Sequence, residues 1–287
     1  MEKGEVMNTK SLVSYSKMLL VAGACCLLVQ GANATQFAQE GFNYTAGTGL
    51  SGNDGWTGGG ASTLFIGSGN LNYSTLTDLG GNELSLVSTS SSSVVKSFSG
   101  ANITSGTIFM SFLLNPTQMP TGNNELMDLL PSGATGLQGS TAALAIYVGS
   151  QNATQYKIGV RHGLSGATYA SSAATILGST SLIVVGYTFN LSTGDDVVSL
   201  WLNPTSLGGS APAADVSFSN SALADSTGLS VVGIKYQGAS AQGFWNLDSL
   251  RIGDTWADVT PVPEPSTLAL VGSGLALMFG MIRRRRS

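Results

Sequence analysis

Short apolar runs separated by turn residues limit the folds open to this chain more than any other feature. From Glu83 onward, apolar and β-branched residues form short groups divided by Gly, Ser, Asn and Asp, with no sustained 3.6-residue periodicity. Such groups are typical of β-strands. We therefore predict an all-β fold, an antiparallel two-sheet sandwich of the jelly-roll type. Ten strands are predicted, at residues 83–87, 93–98, 107–114, 142–148, 156–161, 182–189, 197–203, 215–218, 230–236 and 244–252.

The order of apolar residues predicts how two of these strands are buried. Residues 182–185 are apolar at every position, which favours a central strand covered on both faces. In the last strand, Trp245 is out of phase with Ile252, because side chains alternate with a period of two. A β-bulge near Asp248 and Ser249 would bring both residues to one face.

Charge and cysteine content exclude several functions. Residues 35–262 contain five basic and thirteen acidic residues, a formal charge of −8. Since an acidic domain repels phosphate, we predict that nucleic acid is not a partner. Both cysteines, Cys25 and Cys26, precede this stretch. The stretch therefore offers no disulfide, no thiolate metal ligand and no cysteine nucleophile.

The N-terminus has the features of a cleavable export signal. Basic residues precede the apolar run 18–29, and Ala32 and Ala34 have the Ala-x-Ala spacing that signal peptidase recognises. We predict a signal peptide over the first 34 residues, a signal helix cleaved after Ala34. A membrane anchor is a weaker alternative, because the apolar run has about 12 residues and a span needs roughly 20. A lipoprotein signal is a poorer one, and the start codon, Met1 or Met7, stays open.

The C-terminus combines a proline-flanked motif, a short apolar helix and a basic cluster. Prolines stop helix propagation, so the motif at 262–267 is predicted to be extended and accessible. The helix predicted at 268–282 would span roughly 22 Å, less than the ~30 Å core of a bilayer. We therefore expect a transmembrane helix that is only weakly stabilised in the membrane. The arginines stay cytoplasmic under the positive-inside rule. The motif residues are Val262, Pro263, Glu264 and Pro265, and the basic cluster is Arg283, Arg284, Arg285 and Arg286.

This order of elements resembles the PEP-CTERM sorting signal. The resemblance covers the final segment, 261–287, and leaves residues 35–260 as the domain outside the membrane. It implies that an exosortase recognises the Pro-Glu-Pro motif and removes the helix and arginines. It also implies a diderm bacterium that makes exopolysaccharide, with the protein anchored transiently in the inner membrane and then sent to the cell surface or extracellular matrix. A retained single-pass anchor stays open as the alternative.

Three stretches of the middle domain resemble concanavalin A-like and laminin-G-like jelly rolls. They are residues 40–60, with their Gly-rich run, residues 200–204 and residues 246–258. The resemblance implies the same sandwich architecture. It does not assign a function, because one fold hosts many functions.

The residues give no support to catalysis. Retaining glycosidases of this fold class carry Glu-x-Asp-x-x-Glu, which is absent here. Glu125 and Asp128 are three residues apart, so we expect them on opposite faces of a strand. His162 is the single histidine and no nucleophile-elbow motif accompanies it, which favours a solvated residue before a turn. We therefore predict that the protein is not an enzyme, and that zinc and copper sites are absent.

Few residues are candidates for ligand binding. Trp56, in a Gly-rich loop, is the best candidate for stacking against a sugar ring. Asp54, Asp195 and Asp196 are weak candidates for calcium, because aspartates beside glycine are more often ordinary turn residues. We accordingly predict no cofactor, with calcium as the lesser alternative.

The expected function is that of an exported surface or matrix protein associated with exopolysaccharide or biofilm. Its expected partners are signal peptidase, exosortase, the membrane through the C-terminal helix, and polysaccharide. A lectin-like carbohydrate-binding protein is the alternative, and a glycoside hydrolase is the third hypothesis. The identity of any glycan is not encoded in a motif.

Overall fold

The structure is a computed structural model that describes residues 35–59, 64–87, 90–135, 142–163, 169–190, 192, 194–219, 225–237 and 243–262. The chain divides after Ala34 into two compact units, and every described residue belongs to the second. The predicted signal helix, residues 263–265 of the sorting motif, the C-terminal helix and the four arginines lie outside these residues. Within the described part, no helix is long and apolar enough to cross a membrane.

The described residues form fifteen strands and one short helix. In chain order they are β1 (Gln36–Glu40), β2 (Phe65–Gly67), β3 (Glu83–Leu86), β4 (Ser92–Ser97), β5 (Gly106–Pro116), β6 (Asn124–Leu130), β7 (Leu144–Ser150), β8 (Gln155–His162), β9 (Tyr169–Ser171), β10 (Thr175–Ile176), β11 (Ser181–Phe189), β12 (Val197–Leu202), β13 (Val216–Ser219), β14 (Val231–Tyr236), β15 (Trp245–Gly253) and α1 (Trp256–Val259).

These strands form two antiparallel sheets. The first sheet has the order β13-β12-β11-β5-β15-β3-β2, with β1 also paired to β15. The second has the order β10-β8-β7-β6-β14-β4, with β9 also paired to β8. The prediction of an all-β, antiparallel two-sheet sandwich is confirmed, and each of the ten predicted strands is present within three residues of its predicted bounds.

One apolar face of each sheet builds the main core. Ile183 and Val185 of β11 enter this core from the first sheet, and Ile146 of β7 and Ile234 of β14 enter it from the second. Each fully buried aliphatic side chain of this kind stabilises the fold by about 1.5–3 kcal/mol. Strand alternation thereby fixes which residues are left for the outer faces.

The outer face of the first sheet is covered by the end of the described chain. Trp256 of α1 packs against Trp201 with ring centroids 5.0 Å apart, and both belong to a second apolar cluster with Leu182 and Val184. The prediction that residues 182–185 are covered on both faces is therefore confirmed. Thr255 caps α1 through a capping box with Asp258.

The chain stays attached to this face beyond α1. The carbonyl oxygen of Thr260 accepts a hydrogen bond from the Gly208 N–H, and that of Pro261 accepts one from the Thr77 N–H. The folded domain thus extends to the residue next to Val262, where the sorting motif begins.

The predicted bulge in the last strand is confirmed. The pairing of β15 with β5 shifts register between Asp248 and Arg251. Ser249 takes a φ of 51°, the left-handed conformation that such an inserted residue requires. Because of the extra residue, both Trp245 and Ile252 reach the main core.

Five strands were not predicted: β1, β2, β6, β9 and β10. Four of them have five residues or fewer and lack a clear apolar alternation. The fifth, β6, has acidic residues inside an otherwise apolar run and a bulge that breaks its alternation. This unpredicted strand provides the candidate site.

Candidate functional site on the outer face of the second sheet

The second sheet has an outer face, turned away from the first sheet, that carries polar side chains. In β7, Leu144 and Ile146 enter the main core, whereas Ala145 and Tyr147 between and beside them belong to the opposite face. In β14, Ile234 enters the core and Lys235 therefore projects outward. By the same alternation, the odd-numbered residues of β8 share this outer face.

A β-bulge in β6 brings two acidic residues together on this face. The pairing of β6 with β7 shifts register between Glu125 and Met127. Glu125 then pairs with Tyr147 and Asp128 pairs with Ala145, two positions apart on β7, so their side chains project from the same side. The expectation that Glu125 and Asp128 occupy opposite faces is wrong, because it assumed a regular strand.

Glu125 and Asp128 form a buried carboxyl pair. Asp128 is 0% exposed and Glu125 is 5% exposed. Burial, followed by repulsion from Glu125, raises the pKa of Asp128 well above its usual range. Burial also opposes ionisation of Glu125, but hydrogen bonds from Asp128 and Lys235 outweigh it and lower the pKa of Glu125.

The raised pKa of Asp128 and the lowered pKa of Glu125 favour the proton of the pair on Asp128. No N–H or hydroxyl group of the described residues donates to either carboxyl oxygen of Asp128. This distribution leaves the negative charge of the pair on Glu125. The pair carries one negative charge, and Lys235 balances it with a hydrogen bond from Nζ to Oε2 of Glu125 at 2.6 Å.

Basic and aromatic side chains surround the pair. The guanidinium of Arg161 lies 5.4 Å from the centroid of the Tyr147 ring, a cation–π contact. Both residues are half-buried, and 26% of the Lys235 side chain is exposed. Burial raises the pKa of Tyr147 to about 12, so its hydroxyl stays a neutral donor and acceptor. Arg161, Lys235 and Tyr147 therefore offer polar groups to a ligand on this face.

Small residues leave room beside these side chains. Asp128 pairs with Gly233 on one side and with Ala145 on the other, and Ala145 pairs in turn with Arg161. Gly159 is the partner of Tyr147. Around the pair, the face carries large polar side chains separated by positions with little or no side chain. Val95, Leu130 and Val231 form a buried apolar cluster on the same side of the sheet.

Glycosidases hold two catalytic carboxyl groups at characteristic separations. Retaining enzymes hold their two carboxyl groups roughly 5–5.5 Å apart and inverting enzymes hold them farther apart, so that a sugar or water fits between them. Glu125 and Asp128 lie close enough for each to shift the pKa of the other. Glu125 also holds Lys235 in place through their 2.6 Å ion pair.

Trp56 does not provide a stacking surface. The residue is 0% exposed, and its Nε1–H donates to Oε2 of Glu40 at 2.9 Å. Lys96 lies over the ring, 5.8 Å from its centroid. The prediction of a sugar contact at Trp56 is wrong, because the Gly-rich loop folds inward and places the ring in the core.

The aspartates considered for calcium lie in different surroundings. Asp54 forms an ion pair with Lys96 at 2.7 Å, which neutralises it. Asp196 is buried and accepts hydrogen bonds from the Tyr187 hydroxyl and the Asn190 N–H. Oδ1 of the neighbouring Asp195 is buried and has no donor in the described part of the chain.

His162 is not the solvated residue that the sequence suggested. It is 1% exposed, and its ring stacks on Tyr187 with centroids 5.7 Å apart. Burial lowers the pKa of His162, and the nearby Asp196 and Asp225 oppose that shift. The prediction was wrong because His162 is the last residue of β8 and turns inward, in phase with Val160.

No catalytic residue was predicted from the sequence. Arg161, Lys235 and Tyr147 were not proposed from the sequence, although the alternation of β8 and β14 already placed the two basic side chains opposite core residues. The bulge in β6 had no sequence signal. The cleavage residues Ala32 and Ala34 lie outside the described residues, as does the sorting motif after Val262.

The family of the PEP-CTERM protein-sorting motif matches residues 261–286. The chain carries this sorting motif. It implies export, sorting by exosortase and a place at the cell surface. No curated protein matches the chain.

Several solved structures are similar in fold. A carbohydrate esterase from a Shiga toxin-encoding bacteriophage is 12% identical, with 77% of this chain and 99% of that chain covered and a TM-score of 0.47. The carbohydrate recognition domain of Emp47p is 10% identical, with 78% and 100% covered and a TM-score of 0.47. Domain 4 of AbnA, an extracellular arabinanase from Geobacillus stearothermophilus, is 14% identical, with 80% and 98% covered and a TM-score of 0.44.

The carboxyl pair predicts a specific pH dependence of stability. The pKa of Asp128 is raised on folding, so its contribution is complete below the pKa of the unfolded chain and is lost as pH rises through the raised value. In that window the free energy of unfolding should fall by up to about 1.4 kcal/mol per pH unit. Asp128→Asn stays neutral at every pH, so it should abolish this fall. Urea unfolding at several pH values between 5 and 10 measures it.

A control separates this effect from other titrations. Burial raises the pKa of Asp248 to about 7. Its ionisation therefore also lowers the free energy of unfolding as pH rises, and this decrease occurs in both Asp128→Asn and the parent. Asp215→Asn removes an exposed carboxylate that accepts the Leu202 N–H and should retain the full pH profile of the parent. Identical profiles for Asp128→Asn and the parent would show that Asp128 is not the protonated member of a pair.

Proposed function

We propose that this protein is an exported surface protein, processed by exosortase, whose sandwich binds an anionic polysaccharide through the outer face of the second sheet. The match of the PEP-CTERM motif to residues 261–286 carries the first half of the proposal. The basic and aromatic side chains around Asp128 carry the second half. The domain acts by binding and performs no catalysis.

The position of the motif supports removal of the tail from a finished domain. Hydrogen bonds hold the chain to the first sheet as far as Pro261, and the Pro-Glu-Pro motif starts two residues later. Cleavage on the C-terminal side of the motif removes no residue of the sandwich. A weakly seated helix anchors the chain in the inner membrane until that cleavage, after which the folded domain is released to the cell surface or matrix.

The distribution of basic residues supports an anionic ligand. The domain has a formal charge of −8 and only five basic residues, yet three of these, Lys157, Arg161 and Lys235, project from one face. Because the raised pKa of Asp128 favours its neutral form, Glu125 is the charged acid of the pair that opposes them. A local positive surface on an acidic protein favours a polyanion with few charges per unit length, such as a polyuronate.

Hydroxyl and carboxylate groups of such a polymer suit the side chains present. The guanidinium of Arg161 binds a carboxylate in a two-pronged geometry, and Lys235 binds it as a point charge. The Tyr147 ring offers an apolar surface to a pyranose and its hydroxyl a hydrogen bond. This proposal corresponds to the lectin-like alternative predicted from the sequence, with the glycan contact on the outer face of the second sheet and not at Trp56. A concanavalin A-like or laminin-G-like sandwich accommodates such a contact.

Processing is tested by mass spectrometry of the protein recovered from its native host. We expect a mature chain that begins at Thr35 and lacks residues 268–287. Glu264→Ala should leave the tail attached and keep the chain in the membrane fraction. Ser266→Ala, two residues away and outside the Pro-Glu-Pro motif, should be processed normally. Recovery of the parent at the cell surface with its tail intact would overturn the proposed processing.

Binding is tested with a polyuronate, using dextran as the neutral polymer. The Arg161→Gln and Lys235→Gln double variant should bind polyuronate at least about tenfold more weakly, because each lost charge-assisted hydrogen bond contributes roughly 1.5–3 kcal/mol. Raised salt should weaken the parent in the same direction.

A matched control changes the net charge elsewhere. Ser219→Asp adds one negative charge on exposed β13 of the first sheet and should leave affinity unchanged. Equal binding by the double variant and the parent, or equal affinity for dextran and polyuronate, would contradict the proposed ligand class.

A further inference from the structure

A second polar cluster joins the two sheets where β8 approaches β12. His162 ends β8 of the second sheet, Asp196 precedes β12 of the first sheet, and Asp225 lies in the segment before β14. One ring nitrogen of His162 and one carboxylate oxygen of each aspartate all lie within 4.8 Å of one another. Residues far apart in sequence thus bring three donor atoms to one place.

The hydrogen bonds determine which nitrogen of His162 carries its proton. The Tyr187 hydroxyl donates its single proton to Oδ2 of Asp196 at 2.6 Å and accepts the Ser226 N–H at 3.2 Å. At the 3.4 Å contact between Tyr187 and Nε2 of His162, Nε2 must therefore be the donor. Nδ1 then carries a lone pair, and it has no partner in the described part of the chain although His162 is 1% exposed.

The two carboxylates are held in place without being neutralised. Asp196 accepts the Asn190 N–H at 2.8 Å on its other oxygen. Asp225 accepts the Gly194 N–H at 2.6 Å and the Asp196 N–H at 3.2 Å. Each oxygen keeps a free lone pair, and neither carboxylate takes part in the ion pairs of Lys96 and Lys235. In metal sites the ligating side chains are typically oriented by hydrogen bonds from neighbouring groups.

We propose that His162, Asp196 and Asp225 bind one zinc ion that joins the two sheets. An imidazole nitrogen suits a first-row transition metal, whereas calcium takes six to eight oxygen ligands. Three protein ligands and one water complete the tetrahedral coordination that zinc prefers. Two carboxylates beside an imidazole also supply the charge that compensates a divalent cation in a largely buried site. This proposal departs from the sequence-based prediction that zinc and copper sites are absent.

A zinc ion at this position would link β8 of the second sheet to the segment before β12 of the first sheet. The domain has no cysteine and therefore no disulfide. Among the described residues, the zinc–ligand bonds would be the one link between the sheets other than packing and hydrogen bonds. Because unfolding separates the three ligands, zinc binds the folded state alone and raises its stability.

The test titrates zinc into the full-length chain, purified in detergent and stripped with a chelator. We expect one zinc per chain and a melting temperature about 5–10 °C higher at a hundredfold excess over Kd. Asp225→Asn should weaken zinc binding at least about a hundredfold. Tyr187→Phe, which removes the group that orients Asp196 and keeps every ligand, should weaken it about tenfold or more.

Asp215→Asn is the matched control, since it also neutralises a carboxylate that accepts a backbone N–H. It should bind zinc as the parent does. Circular dichroism shows whether each zinc-free variant folds. If Asp225→Asn does not fold, the zinc affinity of Tyr187→Phe tests the proposal instead. The proposal is overturned if zinc binds the variants as tightly as the parent, if zinc leaves the melting temperature unchanged, or if calcium raises that temperature and zinc does not.

Discussion

The packing of one apolar face of each sheet against the other is the interaction on which the rest of the structure depends. With no cysteine in the domain and few charged residues, burial of apolar area and the strand hydrogen bonds hold the fold. This requirement assigns every second residue of the central strands to the core. Function is left to the outer faces and to the ends of the strands, because only those positions can carry polar groups without weakening the core.

The two sheets use their outer faces differently. Trp201, Trp256 and Leu182 make the outer face of the first sheet apolar, and α1 with the chain that follows covers it. The outer face of the second sheet holds Arg161 and Lys235 above a buried carboxyl pair. The covered face leads towards the sorting motif, so the proposed processing and the proposed binding use separate surfaces of one domain.

Much of the architecture follows from the sequence because alternation is a local property. The burial of residues 182–185 in β11 and the bulge at Ser249 could be predicted, since the order of the apolar residues around each feature reveals its phase. The bulge in β6 could not, because Leu126 and Met127 are both apolar and both enter the core, and nothing in their order marks the inserted residue. That insertion moved Glu125 beside Asp128 and created a pair that regular alternation forbids.

Long-range packing accounts for the remaining differences. Trp56 stands in a Gly-rich loop, but Glu40, sixteen residues earlier, accepts its indole N–H and draws the ring inward. His162, Asp196 and Asp225 come from segments whose proximity depends on how one sheet lies on the other. Pairings between sheets leave no periodic signal in a single sequence, whereas the sorting motif is a contiguous signal and was predicted in full.

Hydrogen exchange of the processed protein, with and without polyuronate, tests the central claim most directly. The claim is that the outer face of the second sheet is the binding surface. The account predicts slower exchange in β6, β7, β8 and β14 when the polymer is bound, with β11, β12 and β13 unchanged. Protection confined to the first sheet or to the loop around Trp56, or no change in any strand, would contradict it.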